Sequence, residues 1–207
     1  MRLRFHELLR VPGTAAVRRL PAVPGGSTCV CDLLDLAAAA ARLVRKAGED
    51  ADLVVAYMHA GAEGADRTHV TSHEEYFLGE DRGNPRKFAR MAIDNGADLV
   101  VASGPHVLRG MEFYRHRLAA YSLGDFASYH NFGTDGIVGL SGILHVSIGP
   151  HGWFRSGRLV SVRLNDDGRP LHDSSRKGAH LVARLSNEDF GAHAARVLRD
   201  GTIELPQ

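Results

Sequence analysis

Two short apolar runs constrain the fold of this chain more than any other feature. They are Asp52-Leu-Val-Val-Ala-Tyr-Met58 and Asp98-Leu-Val-Val-Ala102, and each is rich in branched residues and ends at a polar loop. Apolar runs of this length are typical of strands that are buried on both faces, as in a parallel sheet. A helical pattern precedes each run, so the order of elements predicts two βα-like units and a parallel strand pair in an α/β sheet.

The ends of these two helices carry clear signals. Asp32 is the predicted N-cap of the first helix, and Gly48 follows its last apolar residues. Asn84 is the predicted N-cap of the second helix, with Pro85 at the first helical position and Gly96 as the stop signal.

The second half of the chain is predicted to be mainly antiparallel β-structure. Four strand-like segments, separated by turn sequences, cover residues 111–114, 118–123, 137–148 and 154–164. A capping-box-like sequence that begins at Ser186 predicts a last helix that extends to about Arg199.

Residues 1–30 differ from the rest of the chain in composition. They are rich in Arg, Pro and Gly and show no helical or strand period of useful length. We therefore expect residues 1–30 to form an unstructured or non-native appendage and residues 31–207 to form the domain.

Charge and hydropathy exclude several kinds of partner. The 25 Lys and Arg residues nearly balance the 24 Asp and Glu residues, so the chain has no strong field for nucleic acid or anionic lipid. No apolar run is long enough to be a transmembrane segment, and residues 1–30 lack the continuous apolar stretch of a secretory signal. These features predict no nucleic-acid partner and a cytoplasmic location for the chain as written.

Two histidines follow the predicted parallel strands. His59 comes directly after the first run, and His106 follows the second within the sequence Ser103-Gly-Pro-His106. Catalytic and binding groups in α/β sheets collect at the carboxyl ends of the strands, and imidazole is a common neutral metal ligand. We expect His59 and His106 to converge at one sheet edge; the alternative is that each imidazole only bonds a loop carbonyl.

Three motifs in order resemble the C-terminal part of CapA, the bacterial capsule and poly-γ-glutamate synthesis family. They are the segments 54–63 (VVAYMHAGAE), 95–112 (NGADLVVASGPHVLRGME) and 121–126 (YSLGDF). The resemblance implies the C-terminal portion of a calcineurin-like metallophosphoesterase αββα sandwich, with a mixed sheet followed by an antiparallel second half. It also hints at the cell envelope as the place of action.

The same resemblance implies that His59 and His106 are metal ligands for a divalent ion such as manganese, iron, zinc or magnesium. Ser103 or Gly104 stands where the first histidine of the family's GHxH-like motif would be, and the N-terminal ligand motifs DxH, GDxxD and GNH do not occur. The bridging carboxylate of such sites offsets the charge of two ions. We therefore expect an N-terminal metal-ligand half to be missing.

Four further residues are candidates for the site. Glu63 and Asp125 are the candidate catalytic carboxylates, although an exposed loop position and a turn role, respectively, are the alternatives. Ser103 and Arg109 are the candidate substrate-binding residues, and an ion pair between Arg109 and Glu112 is the alternative for the arginine.

Two functions follow as hypotheses. The first is metal-assisted hydrolysis of a phosphoester or of a bond in an anionic polymer. The second is a noncatalytic remnant or accessory module that binds an anionic polymer or a partner protein. A partial two-sheet fold would also expose an apolar face, which favours a homo-oligomer.

Overall fold

The computed structural model describes residues 8–9, 33–127 and 133–206. Its helices are α1 (Leu33–Asp50), α2 (Pro85–Asp94) and α3 (Lys177–Phe190). Its strands are β1 (Leu8–Leu9), β2 (Val55–His59), β3 (Tyr76–Phe77), β4 (Glu80–Asp81), β5 (Leu99–Ser103), β6 (Met111–Tyr114), β7 (Arg117–Ala120), β8 (Leu140–Ile148), β9 (Phe154–Leu164), β10 (Pro170–His172), β11 (Arg196–Val197) and β12 (Thr202–Glu204).

The first sheet has the strand order β1-β2-β5-β7-β6. Strands β2, β5 and β7 are parallel, and β1 and β6 join the sheet as antiparallel strands. The predicted parallel pair is confirmed, with Val55 opposite Leu99 and His59 opposite Ser103. Both strands therefore end at the same edge of the sheet.

The second sheet is antiparallel and is built on β9, which pairs with β8, β10 and β12. One apolar cluster joins the first sheet to α1 and α2, and it includes Val44, Met58, Ile93 and Val100. A second cluster joins the first sheet to the second sheet and α3. This mixed α/β architecture, with an antiparallel second half, is the predicted fold class and is consistent with part of a metallophosphoesterase-like domain.

Helix α2 begins as its sequence predicts. The side chain of Asn84 accepts a hydrogen bond from the backbone N–H of Lys87, and Pro85 occupies the first turn. This helix places Ala89, Ala92 and Ile93 against the first sheet and so connects β2 to β5.

The last helix differs from its prediction. Helix α3 extends from Lys177 to Phe190, whereas the capping-box-like sequence predicted a helix from Ser186 to about Arg199. The hydroxyl of Ser186 instead donates to the carbonyl of Val182 and accepts from the backbone N–H of Met111. The prediction was wrong because Ser186 lies on the buried face of the helix, where a tertiary contact uses its side chain.

The predicted appendage is only partly described. Leu8–Leu9 pairs with Ala56 and Val55 of β2 as a short antiparallel strand, so the expectation of an unstructured segment does not hold for these two residues. The remaining residues of the segment, and the predicted N-cap Asp32, lie outside the described residues. No helix among the described residues is long and apolar enough to cross a membrane.

Candidate functional site

The two predicted histidines lie together at the carboxyl edge of the first sheet. The ring centroids of His59 and His106 are 6.2 Å apart, with the ring planes at 73°. His59 is the last residue of β2, and His106 lies three residues beyond β5 with a left-handed backbone conformation, φ 59°. The prediction that both imidazoles converge at one edge is confirmed.

Asp125 orients His106. Its Oδ1 lies 2.7 Å from Nδ1 of His106, and both side chains are mostly buried. The hydrogen bond to Asp125 raises the pKa of His106 above its ordinary value of 6.5; the charges of Asp125 and Glu63 add to the rise, whereas burial and the charge of Arg82 oppose it. A carboxylate at Nδ1 fixes the orientation of the imidazole ring.

Glu63 lies on the other side of the His106 ring. Its Oε2 is 3.8 Å from Nε2 of His106, and its Oε1 is 3.0 Å from a terminal nitrogen of Arg82. The carboxylate is about one-fifth exposed, so the alternative of a fully exposed loop residue does not describe it. Glu63 therefore lies between the side chains of Arg82 and His106 at the edge of the sheet.

Ser103 lies beside His59, as the pairing of β2 with β5 requires. Its hydroxyl is 3.3 Å from Nδ1 of His59 and also bonds the hydroxyl of Tyr57. These contacts give Ser103 a part in positioning His59, while its expected contact with substrate stays a prediction.

The prediction for Arg109 requires correction. Arg109 is 1% exposed, and both terminal nitrogens donate to the carboxylate of Glu75, at 2.9 and 2.8 Å. Its Nε donates to the carbonyl of Arg67, and a terminal nitrogen also contacts the carbonyl of Ala62. The buried guanidinium thus makes four hydrogen bonds to the loop after β2 and holds that loop in place, and its burial keeps it from a substrate.

The alternative prediction, an ion pair between Arg109 and Glu112, is also wrong. Glu112 is fully buried and accepts hydrogen bonds from Arg90 and from the hydroxyl of Tyr121. The side chain of Arg109 points instead into the loop between β2 and α2, because Glu75 of that loop supplies its counter-charge.

Gly104 is fixed by close packing of two chain segments. Its φ is +128°, and a Cβ atom there would lie 2.8 Å from the carbonyl oxygen and 2.9 Å from the nitrogen of Ala60. An imidazole cannot be placed at this position without a shift of the backbone at the end of β2. The departure from the GHxH-like motif is therefore part of the local packing.

The described residues can supply two ligands to a metal ion but not a complete metal centre. The separation of 3.8 Å between Nε2 of His106 and Oε2 of Glu63 allows both atoms to contact one ion, given bonds of about 2.0–2.2 Å. Within residues 33–127 and 133–206, however, no three His, Cys, Asp or Glu side chains are grouped so that they could hold a metal ion. A bridging carboxylate is not among them.

Arg82 is the site residue that the sequence did not point to. It belongs to no recognisable motif. Arg82 follows the hairpin of β3 and β4 and reaches Glu63 because its backbone carbonyl bonds the N–H of Gly61 at the end of β2. Arg82 lies two residues before Asn84, the N-cap of α2, so the local sequence indicates the start of a helix and not a functional site.

Comparisons with known proteins identify the family. The family model described as "Bacterial capsule synthesis protein PGA_cap" matches residues 12–130, which is more than half of the chain. The match begins within the predicted appendage, so the boundary predicted at residue 31 is not a boundary of the family match. It also includes both histidines and Asp125.

Individual relatives agree with the family match. The chain is 29% identical over 128 residues to "Capsule biosynthesis protein CapA" of Bacillus anthracis, covering 60% of this chain and 22% of that protein. It is 32% identical over 84 residues to "PGA biosynthesis protein CapA" of Bacillus subtilis (strain 168), covering 41% and 19%. It is also 58% identical over 38 residues to "Uncharacterized protein y4sH" of Sinorhizobium fredii, covering 18% and 8%.

The aligned part of this chain thus spans less than a quarter of each of these relatives. The family match covers the segments that build the sheet edge and its two histidines. The chain belongs to the bacterial capsule synthesis protein family.

Proposed function

We propose that this chain contributes the histidine ligands of a metal-assisted hydrolytic site to capsule biosynthesis. The observation that carries the proposal is the convergence of His59 and His106, with Asp125 on Nδ1 of His106 and Glu63 near its Nε2. Imidazole ligands in the neutral form suit manganese, iron or zinc, whereas magnesium would need more oxygen ligands.

Each residue of the cluster has a distinct part in the proposal. His59 and His106 would hold a divalent ion, and Asp125 and Ser103 would fix the orientation of the two rings through their contacts at Nδ1. Glu63 would orient a water molecule beside the ion. A bound ion would polarise a phosphoryl or acyl oxygen and lower the pKa of a bound water molecule.

The names of the relatives suggest the class of substrate. Both Bacillus proteins are named for the biosynthesis of capsule or PGA. We therefore propose as substrate an anionic polymer of the capsule type, poly-γ-glutamate included, or a phosphoester in its synthesis, with action at the cell envelope. The remaining metal ligands would come from outside the described residues.

A noncatalytic role is the second candidate function. Gly104 packs against Ala60 where the family motif has an imidazole, and the described residues provide no group of three ligands. A cluster of this kind still combines cationic and anionic side chains at a sheet edge, which suits the binding of an anionic polymer. Metal binding without turnover would favour this role.

The test measures manganese binding by calorimetry and hydrolysis of a generic phosphodiester with and without manganese. His59→Ala and His106→Ala should each weaken binding by at least about tenfold. His172→Ala is the control, because His172 is exposed on β10 of the second sheet. We expect low turnover in the wild-type chain, because two imidazoles without a bridging carboxylate do not balance the charge of two ions.

Each outcome decides between the candidates. Manganese-dependent turnover that is lost in both site variants would support hydrolysis, and site-dependent binding without turnover would support the noncatalytic role. No manganese binding, or equal binding in the wild type and both variants, would refute a metal site at His59 and His106.

A further inference from the structure

We infer that Arg82 recognises the anionic group of the ligand at this site, whether that group is a phosphate or a carboxylate. The inference deepens the proposed function and rests on it for the reaction, but the predicted anion binding rests on the contacts of Arg82 alone. It also transfers to Arg82 the anion-binding role that the sequence suggested for Arg109.

The backbone of Arg82 is fixed beside the site. Its N–H donates to the carbonyl of Glu75 at 2.7 Å, and its carbonyl accepts from the N–H of Gly61 at 3.1 Å. Gly61 lies two residues beyond His59, so these bonds tie Arg82 to the end of β2. The guanidinium lies over the ring of Phe77, 5.4 Å from its centroid, which limits the directions that the side chain takes.

The guanidinium of Arg82 is not saturated by protein acceptors. One terminal nitrogen contacts Glu63 at 3.0 Å, and Nε is 3.5 Å from a carboxylate oxygen of Glu80, at the outer limit for a hydrogen bond. Among the described residues, Nε of Arg82 is buried without a hydrogen-bond partner. The guanidinium of Arg82 therefore keeps a donor that no acceptor among the described residues satisfies.

Arg109 provides the contrast within the same loop region. It is fully buried and binds Glu75 through two parallel contacts, with Nε bonded to a backbone carbonyl. Arg82 is 23% exposed, and its terminal nitrogen lies 3.0 Å from Glu63. Of these two arginines, only Arg82 combines exposure with donor capacity for a ligand.

The guanidinium of Arg82 suits an oxyanion. It is partly exposed and lies on the far side of Glu63 from His106. The planar fork of arginine matches the paired oxygens of phosphate and of carboxylate, and such charge-assisted bonds are strong. Lysine keeps the charge but not the fork.

Titration of the chain with inorganic phosphate, and separately with acetate, tests this inference with and without manganese. Arg82→Ala should weaken the binding of the preferred anion by about tenfold, and Arg82→Lys should weaken it by less. Arg67→Ala is the matched control, because Arg67 lies in the same loop and is half-exposed beside Asp66. This control should bind the anion as the wild type does.

The two anions identify the chemical class, since preference for phosphate indicates a phosphoester ligand and preference for acetate a carboxylate polymer. Arg82-dependent anion binding in a chain that neither binds manganese nor hydrolyses the diester would support this inference and refute the proposed function. No anion binding by the wild type, unchanged binding in Arg82→Ala, or an equal loss in Arg67→Ala would overturn it.

Discussion

The buried ion pair between Arg109 and Glu75 should dominate the stability of the loop between β2 and α2. Glu75→Gln removes the negative charge, keeps the volume and leaves Arg109 buried with its charge unpaired. Loss of one partner of a buried ion pair costs about 3–5 kcal/mol. The carboxylate also accepts from the N–H of Ala62 at 2.7 Å, and the amide that replaces it offers only one oxygen.

Urea unfolding at pH 7 measures this effect as a change in the free energy of unfolding. Glu188→Gln is the control, since the pair of Glu188 with Arg184 is about half exposed and should contribute only about 0.3–0.5 kcal/mol. Glu75→Gln combined with Arg109→Met should cost less than the sum of the single losses, because the second change removes the unpaired charge. A loss below about 1 kcal/mol for Glu75→Gln, or additive losses, would refute the reasoning.

Two further predictions concern the sheet edge that carries His59 and His106. Because the pKa of His106 is raised, the stability from its pair with Asp125 is fully present below pH 6.5 and is lost as the pH rises through the raised value. The stability difference between wild type and Asp125→Asn should therefore be larger at pH 6 than at pH 9, and NMR titration should find a lower pKa for His106 in the variant; an unchanged pKa would contradict the pairing. Gly104→Ala should lower the free energy of unfolding by about 1–3 kcal/mol, because its Cβ meets the backbone of Ala60 and φ is positive; a neutral effect in urea unfolding would show that this approach is not tight.

Local patterns in the sequence predicted the parts of the molecule that depend on neighbouring residues. The apolar runs predicted β2 and β5 and their parallel pairing, and Asn84 with Pro85 predicted the start of α2. The convergence of His59 and His106 followed as well, because parallel neighbouring strands end at the same sheet edge.

Tertiary contacts decided the partners of the charged side chains. Nothing near Arg109 in the sequence indicates Glu75, which lies 34 positions earlier, and nothing near Glu63 indicates Arg82, which arrives through a hairpin. Side-chain charges of this kind interact at short range with whichever group the fold brings close, and sequence spacing carries no information on that approach.

The last helix also shows which features the sequence predicted and which the tertiary structure decided. The capping-box-like sequence at Ser186 predicted a helix that extends to about Arg199, and of that range only the residues up to Phe190 belong to α3. Where the helix begins was decided by tertiary structure, because Ser186 bonds the backbone of Met111 instead of capping a helix, while Asp173 accepts from the N–H of Lys177 at the true start. A side chain that can bond several partners bonds a buried polar group that has no water to bond instead. Only the folded chain determines which group that is.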